Sequence, residues 1–342
     1  MATVLVTGGT GFVGAHAIAR LLADGHTVRT TLRSLARKPE VERMLVTAEA
    51  PNAEEVAYVE ADLTSDSGWG DATAGADYVL HVASPFPGRE PRDENELIVP
   101  ARDGALRVLR AARAAGIRRV VLTSSFAAVG YGHYGAGRPR NEGDWSDVEA
   151  PGITPYVKSK TIAERAAWDF VQTEGGDLEL AVVNPVAILG PVLGPDISNS
   201  IRIIQALLSG YLPVAPPMWM NLVDVRDVVD LHVRAMTAPE AAGERFLAVA
   251  GEPISVRDIA AALRAGLGSA AAKAPTRVAP AWVWKGLALV AAPLREITPQ
   301  LNLVRRASNA KARTVLGWSP RSNEEAAVVC GESLLRLGIV RR

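Results

Sequence analysis

The chain has 342 residues, and 37 Lys and Arg against 37 Asp and Glu leave no net charge. That balance argues against a nucleic-acid binder working by bulk charge and against a polybasic membrane anchor, and 48% hydrophobic with 22% charged residues excludes wholesale disorder. The length suffices to bury a core without staples, and Cys330, the one cysteine, excludes an intrachain disulfide and a cysteine-based zinc site.

Residues 3–7, Thr-Val-Leu-Val-Thr, follow no basic segment and read as an opening strand rather than a signal peptide. A helix is predicted over 11–23, where Ile18, Leu21 and Leu22 share a face. Further strands are predicted at 28–32, 56–60, 78–82 and 120–123, with a helix at 101–115 that points Leu106 and Leu109 inward. A helix at 155–173 then leads to a strand at 180–183. Alternating strand and helix imply an α/β fold, a doubly wound parallel sheet covered on both faces, with ligands at the carboxyl ends of the strands.

After Asn184 the rhythm breaks, with loops at Gly190-Pro191, Gly194-Pro195 and 212–217. Segments 223–236 and 246–249 read as a return to the sheet, and the rest is helix-rich. The expected division is a dinucleotide-binding domain of 1–185 plus about 222–250, and a smaller, discontinuous substrate-binding region of 186–221 and 251–342. Trp282 and Trp284 are expected in the core of that second region. The apolar stretch 278–294 holds Lys285 and two prolines, too short and interrupted for a membrane span. The five histidines show no metal-ligand spacing, so no metal is expected, and His81 reads as a packed strand residue.

Between the first strand and helix lies Thr7-Gly8-Gly9-Thr10-Gly11-Phe12-Val13-Gly14, a G-x-x-G-x-x-G spacing. Glycines there permit a tight turn and close approach to a pyrophosphate, which the helix N-terminus meets with free N–H groups. At the end of the second strand, an acid would hold a free ribose 2′-OH and an arginine would accommodate a 2′-phosphate. The sequence has Arg33 there, then Arg37 and Lys38, with no acid before Glu40. NADP(H) is therefore the expected cofactor, the alternative for these cations being a solvated basic face.

Tyr156 and Lys160 stand four apart on one helical face, and Leu122-Thr-Ser-Ser125 ends a strand at the ligand edge. A tyrosine titrating near ~10 needs a nearby cation to act as an acid near neutrality. An exposed helix face carrying a half-buried tyrosine would show the same spacing. The set, however, comes with Leu80-His-Val-Ala-Ser-Pro85, Glu142-Gly-Asp-Trp-Ser-Asp147, Val183-Asn-Pro-Val186, Gly190-Pro191 and Leu222-Val-Asp-Val-Arg-Asp227. Together these segments resemble the extended short-chain dehydrogenase/reductase superfamily. Within it they resemble the branch of dihydroflavonol reductases, cinnamoyl-CoA reductases and yeast-type methylglyoxal or aldehyde reductases, over residues 1–260.

The resemblance implies a Rossmann-like fold and a Ser125, Tyr156, Lys160 triad. Gly8, Gly9, Thr10, Gly11, Phe12 and Val13 would wrap the pyrophosphate, and Arg33 with Arg37 would face the 2′-phosphate. Asp62 and Leu63 would contact adenine, although Asp62 could equally cap the following turn. Ala83 and Ser84 would line the cofactor, Lys160 would bind the nicotinamide ribose, and Pro185 with Val186 would hold the nicotinamide ring. Ser200 would reach the cofactor or the pocket. By register Ser125 takes the family position and Ser124 is its packed neighbour. The plant flavonoid enzymes have asparagine where this chain has Gly130, and the Asn-Trp-Tyr-type signature of cinnamoyl-CoA reductases is missing. Substrate contact is therefore expected from Ser125 and from Phe126, Tyr131 and Tyr134 of an aromatic loop, without a flavonoid or CoA-thioester substrate.

The expected activity is NADPH-dependent reduction of an aldehyde or ketone, or the reverse alcohol oxidation. An NAD-dependent nucleotide-sugar epimerase or dehydratase shares the triad, but Arg33 weighs against it. A non-catalytic cofactor-sensing regulator would not need the acid. Expected partners are a small carbonyl or alcohol substrate, with no nucleic acid and no membrane, in a cytoplasmic monomer or homodimer.

Overall fold

A computed structural model of the chain describes residues 1–85, 91–133, 137–289, 291, 294 and 297–340. In chain order come β1 (Thr3–Thr7), α1 (Phe12–Ala23), β2 (Thr27–Leu32), α2 (Lys38–Thr47), β3 (Ala57–Glu60), α3 (Trp69–Thr73) and β4 (Tyr78–His81). Next are α4 (Asn95–Ala114), β5 (Arg119–Thr123), α5 (Pro155–Thr173), β6 (Glu179–Pro185), β7 (Ala187–Leu189) and α6 (Asn199–Ser209). The chain continues with β8 (Trp219–Met220), β9 (Leu222–Asp224), α7 (Val225–Thr237), β10 (Arg245–Ala248) and β11 (Ile254–Ser255). It finishes with α8 (Val256–Leu267), α9 (Ala281–Leu287), α10 (Ala310–Leu316) and α11 (Asn323–Arg336).

Seven strands form one sheet in the order β10-β6-β5-β4-β1-β2-β3, and every pairing is parallel. The pleat decides which side chain goes where. Val4 and Val6 pack on one face with Ile18 and Leu21 of α1, whereas Leu5 packs on the other with Val108, Leu109 and Phe170. Both faces are covered, which is why Val-Leu-Val runs on without polar alternation. The strand order reverses beside β1: the chain moves outward through β2 and β3 and re-enters on the other flank as β4. In a doubly wound sheet the ligand crevice lies at that reversal, outside the carboxyl ends.

The expected Rossmann-like α/β class holds. The helix expected to begin at 101 begins at Asn95, because Pro100 sits inside it. A proline there deletes one backbone bond without ending the helix, so it is a poor boundary marker near a helix start. Arg119 is fully buried and caps the end of α7, donating to the carbonyls of Ala235 at 2.9 Å and Ala238 at 2.6 Å while pairing with Glu179.

A second apolar cluster gathers Leu189, Ile201, Ile204, Leu263, Ala327 and Leu334 from segments beyond the sheet. The small pair β7 and β9 runs parallel, and β8 pairs with β11. Residues 310–318 return to the sheet side: Ala312, Leu316 and Trp318 join its core, with the Trp318 indole donating to the Asp227 carbonyl at 2.9 Å. Of the two tryptophans expected in the second core, Trp284 is buried and Trp282 is exposed. Positions two apart on a helix face nearly opposite ways, so α9 can bury only one. Among the described residues no helix is long and apolar enough to cross a membrane.

Candidate active site

The glycine loop sits at the carboxyl end of β1, beside the strand reversal. Gly8 has φ +75°, and a Cβ there would come within 3.0 Å of the Ala83 Cβ, so a side chain would push the ends of β1 and β4 apart. Thr31 at the end of β2 anchors the turn: its hydroxyl accepts from the Gly8 N–H at 3.2 Å and its carbonyl from the Gly9 N–H at 3.3 Å. Gly11 is the N-cap of α1 and supplies no capping side chain. The N–H groups of Phe12 and Val13 therefore open toward the loop without an intrahelical acceptor. Thr10 borders them half-buried, and Phe12 also packs against the second cluster.

Just past β5 a step from buried to half-buried separates the two serines. Ser124 is buried and its hydroxyl donates to Glu164. Ser125 accepts from the Ala127 N–H at 3.1 Å and is hydrogen-bonded to the Tyr156 hydroxyl. Tyr156 lies in the first turn of α5, which Thr154 caps at the Val157 N–H and Pro155 starts. About a third of the tyrosine is exposed, but its hydroxyl end is enclosed. Burial raises its pKa against the opposing Ser125 bond, and Tyr131 pushes the same way as burial. The phenol is thus protonated at neutrality.

Lys160 stands one turn further along α5 and donates to the Ser84 hydroxyl at 2.9 Å. Burial brings its pKa down to about 8, with Glu164 pulling upward. Leu63, Ala83, Ser84 and Lys160 line one cavity with His81. His81 is a packed residue: it shares a hydrogen bond of 2.8 Å with Thr7, and burial together with Lys160 holds its pKa at about 3. A larger open cleft of about 650 Å³ runs between Trp145, Trp168, Arg245 and Lys311; Glu142, Gly143 and Trp145 of the 142–147 motif line it, but none of the expected catalytic, cofactor or substrate residues does.

On the nucleotide side, Arg33 is exposed just past β2 and makes no hydrogen bond or ion pair among the described residues. Arg37 is occupied: Glu40 holds it through both carboxylate oxygens at 2.8 and 2.9 Å. Asp62 caps its turn, accepting from the N–H and the hydroxyl of Thr64 at 2.8 and 2.7 Å. Those bonds lower its pKa, and Arg33 and Arg107 add to the effect. Leu63 fits against Gly104, where a Cβ would overlap it at 2.9 Å.

Pro185 and Val186 close β6 beside Ala248, and Val186 packs with Phe126. Phe126 is buried, with its ring edge toward Tyr131 at 6.2 Å. Ser200 lies in the first turn of α6, half-buried and without a hydrogen bond among the described residues. Tyr134 falls outside the described residues.

Residues 4–249 match the NAD dependent epimerase/dehydratase family. This chain belongs to that family. The likeness to its extended short-chain reductases, expected from the motifs, is borne out by named relatives. Tetraketide alpha-pyrone reductase 2 of Arabidopsis thaliana is 36% identical over 71% of this chain and 76% of its own length. Cinnamoyl-CoA reductase CAD2 of Medicago truncatula is 33% identical over 71% and 75%. Gre2 of Candida albicans, crystallised with NADPH, superposes with a TM-score of 0.79 at 25% identity over 98% of this chain and 99% of its own.

Sequence reasoning missed two features of this family member's site. Behind Ser125, Glu164 is fully buried and joins Ser124, Asn184 at 2.7 Å and Arg245 at 2.8 Å. Asn184 also donates to the Ser125 carbonyl at 3.2 Å, which ties the serine to the network. The signal was Glu164 four residues after Lys160, on the same helix face. Nothing in the sequence signalled the second feature, Arg305 stacked over Tyr131 at 4.5 Å.

Proposed function

We propose that this chain reduces an aldehyde or ketone with NADPH, or oxidises the alcohol in reverse, with Ser125, Tyr156 and Lys160 carrying the proton chemistry. Its relatives are reductases by name, and Gre2 was crystallised with NADPH. This chain is an NADP-dependent oxidoreductase. Its residues suit that cofactor: a turn with no room for Cβ atoms at Gly8 and Gly14, open N–H groups at the start of α1, and Arg33 past β2 with no hydrogen bond or ion pair among the described residues. NADPH, when bound, supplies the hydride that adds to the carbonyl carbon.

The single observation that carries the reading is the hydrogen bond between the Ser125 and Tyr156 hydroxyls at the carboxyl edge of the sheet. A carbonyl oxygen placed between them accepts from both. Tyr156 then gives its proton to the oxygen as charge develops, and Ser125 fixes the oxygen's position. Lys160, cationic below about 8, stabilises the phenolate left behind and holds the ribose alongside Ser84. Residues 186–221 and the segments after 251 other than 310–318 supply the substrate side.

The test follows NADPH absorbance over a panel of aldehydes, ketones and nucleotide sugars with wild type and Tyr156→Phe. Removing a positioned acid lowers turnover by about 10²–10⁴-fold, while NADPH binding persists because the glycine loop and Lys160 are intact. Near-normal turnover in the variant, or turnover confined to nucleotide sugars, overturns the reading.

A further inference from the structure

Arg305 is a half-buried cation that faces no carboxylate among the described residues. Its guanidinium lies over the Tyr131 ring at 4.5 Å and donates to the neutral Gln300 amide oxygen at 2.6 Å, with no ion pair among the described residues. Other sheltered arginines of the chain have acids: Arg119 has Glu179, Arg226 has Asp224 and Arg245 has Glu164. Burial of a guanidinium without a partner is costly, and it stays charged at any working pH. Burial indeed lowers its pKa, with only Tyr131 pulling the other way.

The backbone around it is clamped to keep it there. Asn221 donates to the Arg305 carbonyl at 2.8 Å, and Arg140 pairs with the backbone of Arg306 and Ser308 at 2.9 and 2.8 Å. Arg306 turns outward to Glu252 at 3.2 Å, so the neighbouring cation is already neutralised. Tyr131 in turn packs on Phe126, the residue after Ser125, and its phenol is close enough to act on Tyr156. Arg305 is therefore linked to Tyr156 through a single residue, Tyr131. Three apolar side chains, Trp219, Leu303 and Val304, stand exposed in the segments that carry it.

Resting on the carbonyl-reductase reading, we infer that Arg305 binds a carboxylate on the substrate, so that the enzyme selects oxo acids, or the matching hydroxy acids, over neutral carbonyl compounds. One guanidinium without an ion pair, and with no second unpaired cation beside it among the described residues, suits a monoanion rather than a phosphate dianion, and its planar fork matches a carboxylate's two oxygens.

The experiment compares oxo acids of increasing spacer length with their methyl esters, on wild type, Arg305→Met and Arg305→Lys. Wild type should favour at least one acid over its ester, and Arg305→Met should cut kcat/KM for that acid about 10–100-fold, mainly through KM. The ester should be unaffected, and Arg305→Lys should restore part of the loss. Calorimetric titration of the corresponding hydroxy acid into the same proteins reads binding without turnover. Equal loss for acid and ester, or equal hydroxy-acid affinity in wild type and Arg305→Met, overturns the inference and leaves carbonyl reduction standing. If no acid, ester or simple aldehyde is turned over, the functional reading falls, and the titration still decides whether Arg305 takes a carboxylate.

Discussion

Replacing Arg33 by alanine should lower kcat/KM with NADPH by about 10–100-fold and leave NADH nearly unchanged. The two cofactors differ only in the 2′-phosphate, so any discrimination comes from groups at the adenosine ribose. Arg33, proposed for that position, makes no hydrogen bond or ion pair among the described residues, so binding a phosphate there breaks no such bond. Charge-assisted hydrogen bonds are worth about 1.5–3 kcal/mol, which converts to the stated range. Arg37 is different, because its fork is closed on Glu40 at 2.8 and 2.9 Å. Lys38 lies near Glu42 and over the Tyr58 ring at 5.1 Å. Arg37→Ala should therefore cost under about 1 kcal/mol, the scale of an exposed charge contribution. The assay is the NADPH/NADH ratio of kcat/KM for wild type and both variants at one ionic strength, since screening alone shifts such ratios. A wild type that prefers NADH, or a ratio untouched by Arg33→Ala, refutes the reasoning.

Three further outcomes follow from titration and packing. Lys160 is charged below about 8 and neutral above it, so NADPH affinity should fall as pH rises through 8 and Lys160→Met should flatten the profile; fluorescence titration from pH 6 to 10 checks this, and a flat wild-type curve contradicts it. His81 and His232 stay neutral when folded, at about 3 and about 4 because both are buried, whereas unfolded they take protons below about 6.5. The unfolded state then binds more protons, so their stabilisation is complete above pH 6.5 and is lost as pH falls toward 4; His232→Gln should reduce the slope of the urea midpoint against pH, and an unchanged slope would remove His232 from the account. A Cβ at Gly14 would sit 2.3 Å from the Gly8 carbonyl oxygen but one at Gly11 would sit 3.2 Å from it. Gly14→Ala should thus lose about 1–3 kcal/mol of stability while Gly11→Ala keeps the wild-type melting temperature and weakens NADPH binding; equal melting temperatures for the two variants would argue that the turn yields freely.

What was legible in the sequence follows from how far apart the cooperating residues are. The strand edges at Thr3–Thr7 and the helix Pro155–Thr173 match the expected ranges because the signals are local: a continuous apolar run, a threonine cap followed by proline. α2 went unseen, although Val41, Met44 and Leu45 form its buried stripe; a stripe that short competes with the basic, proline-containing segment around it. The placement of Tyr156 beside Ser125 joins residues 31 apart in sequence and is signalled by the resemblance of the whole motif set to a family, not by spacing. Arg305 had no comparable route. Its position depends on Asn221 and Arg140, 84 and 165 residues away, and on hydrogen bonds that no periodicity encodes.

The loop after Ser125 shows why the substrate side resists reading one residue at a time. Gly130 stands where the plant flavonoid enzymes have asparagine, and taken alone the glycine is a deletion of a side chain. In the folded chain the space is filled: a Cβ at Gly130 would meet the Phe126 ring at 2.2 Å. Positions 126 and 130 are thus coupled, since any side chain at 130 requires the ring at 126 to leave or shrink. The ring also supports Tyr131, and Tyr131 supports Arg305. A side chain at position 130 is therefore incompatible with the aromatic stack that carries the Arg305 cation. A variant that restores asparagine at 130 has to give up Phe126 in the same step, and with it the platform on which Arg305 rests. On the proposed reading, specificity on this side of the sheet belongs to the stack as a unit, while the glycine turn at the strand ends is set by the backbone.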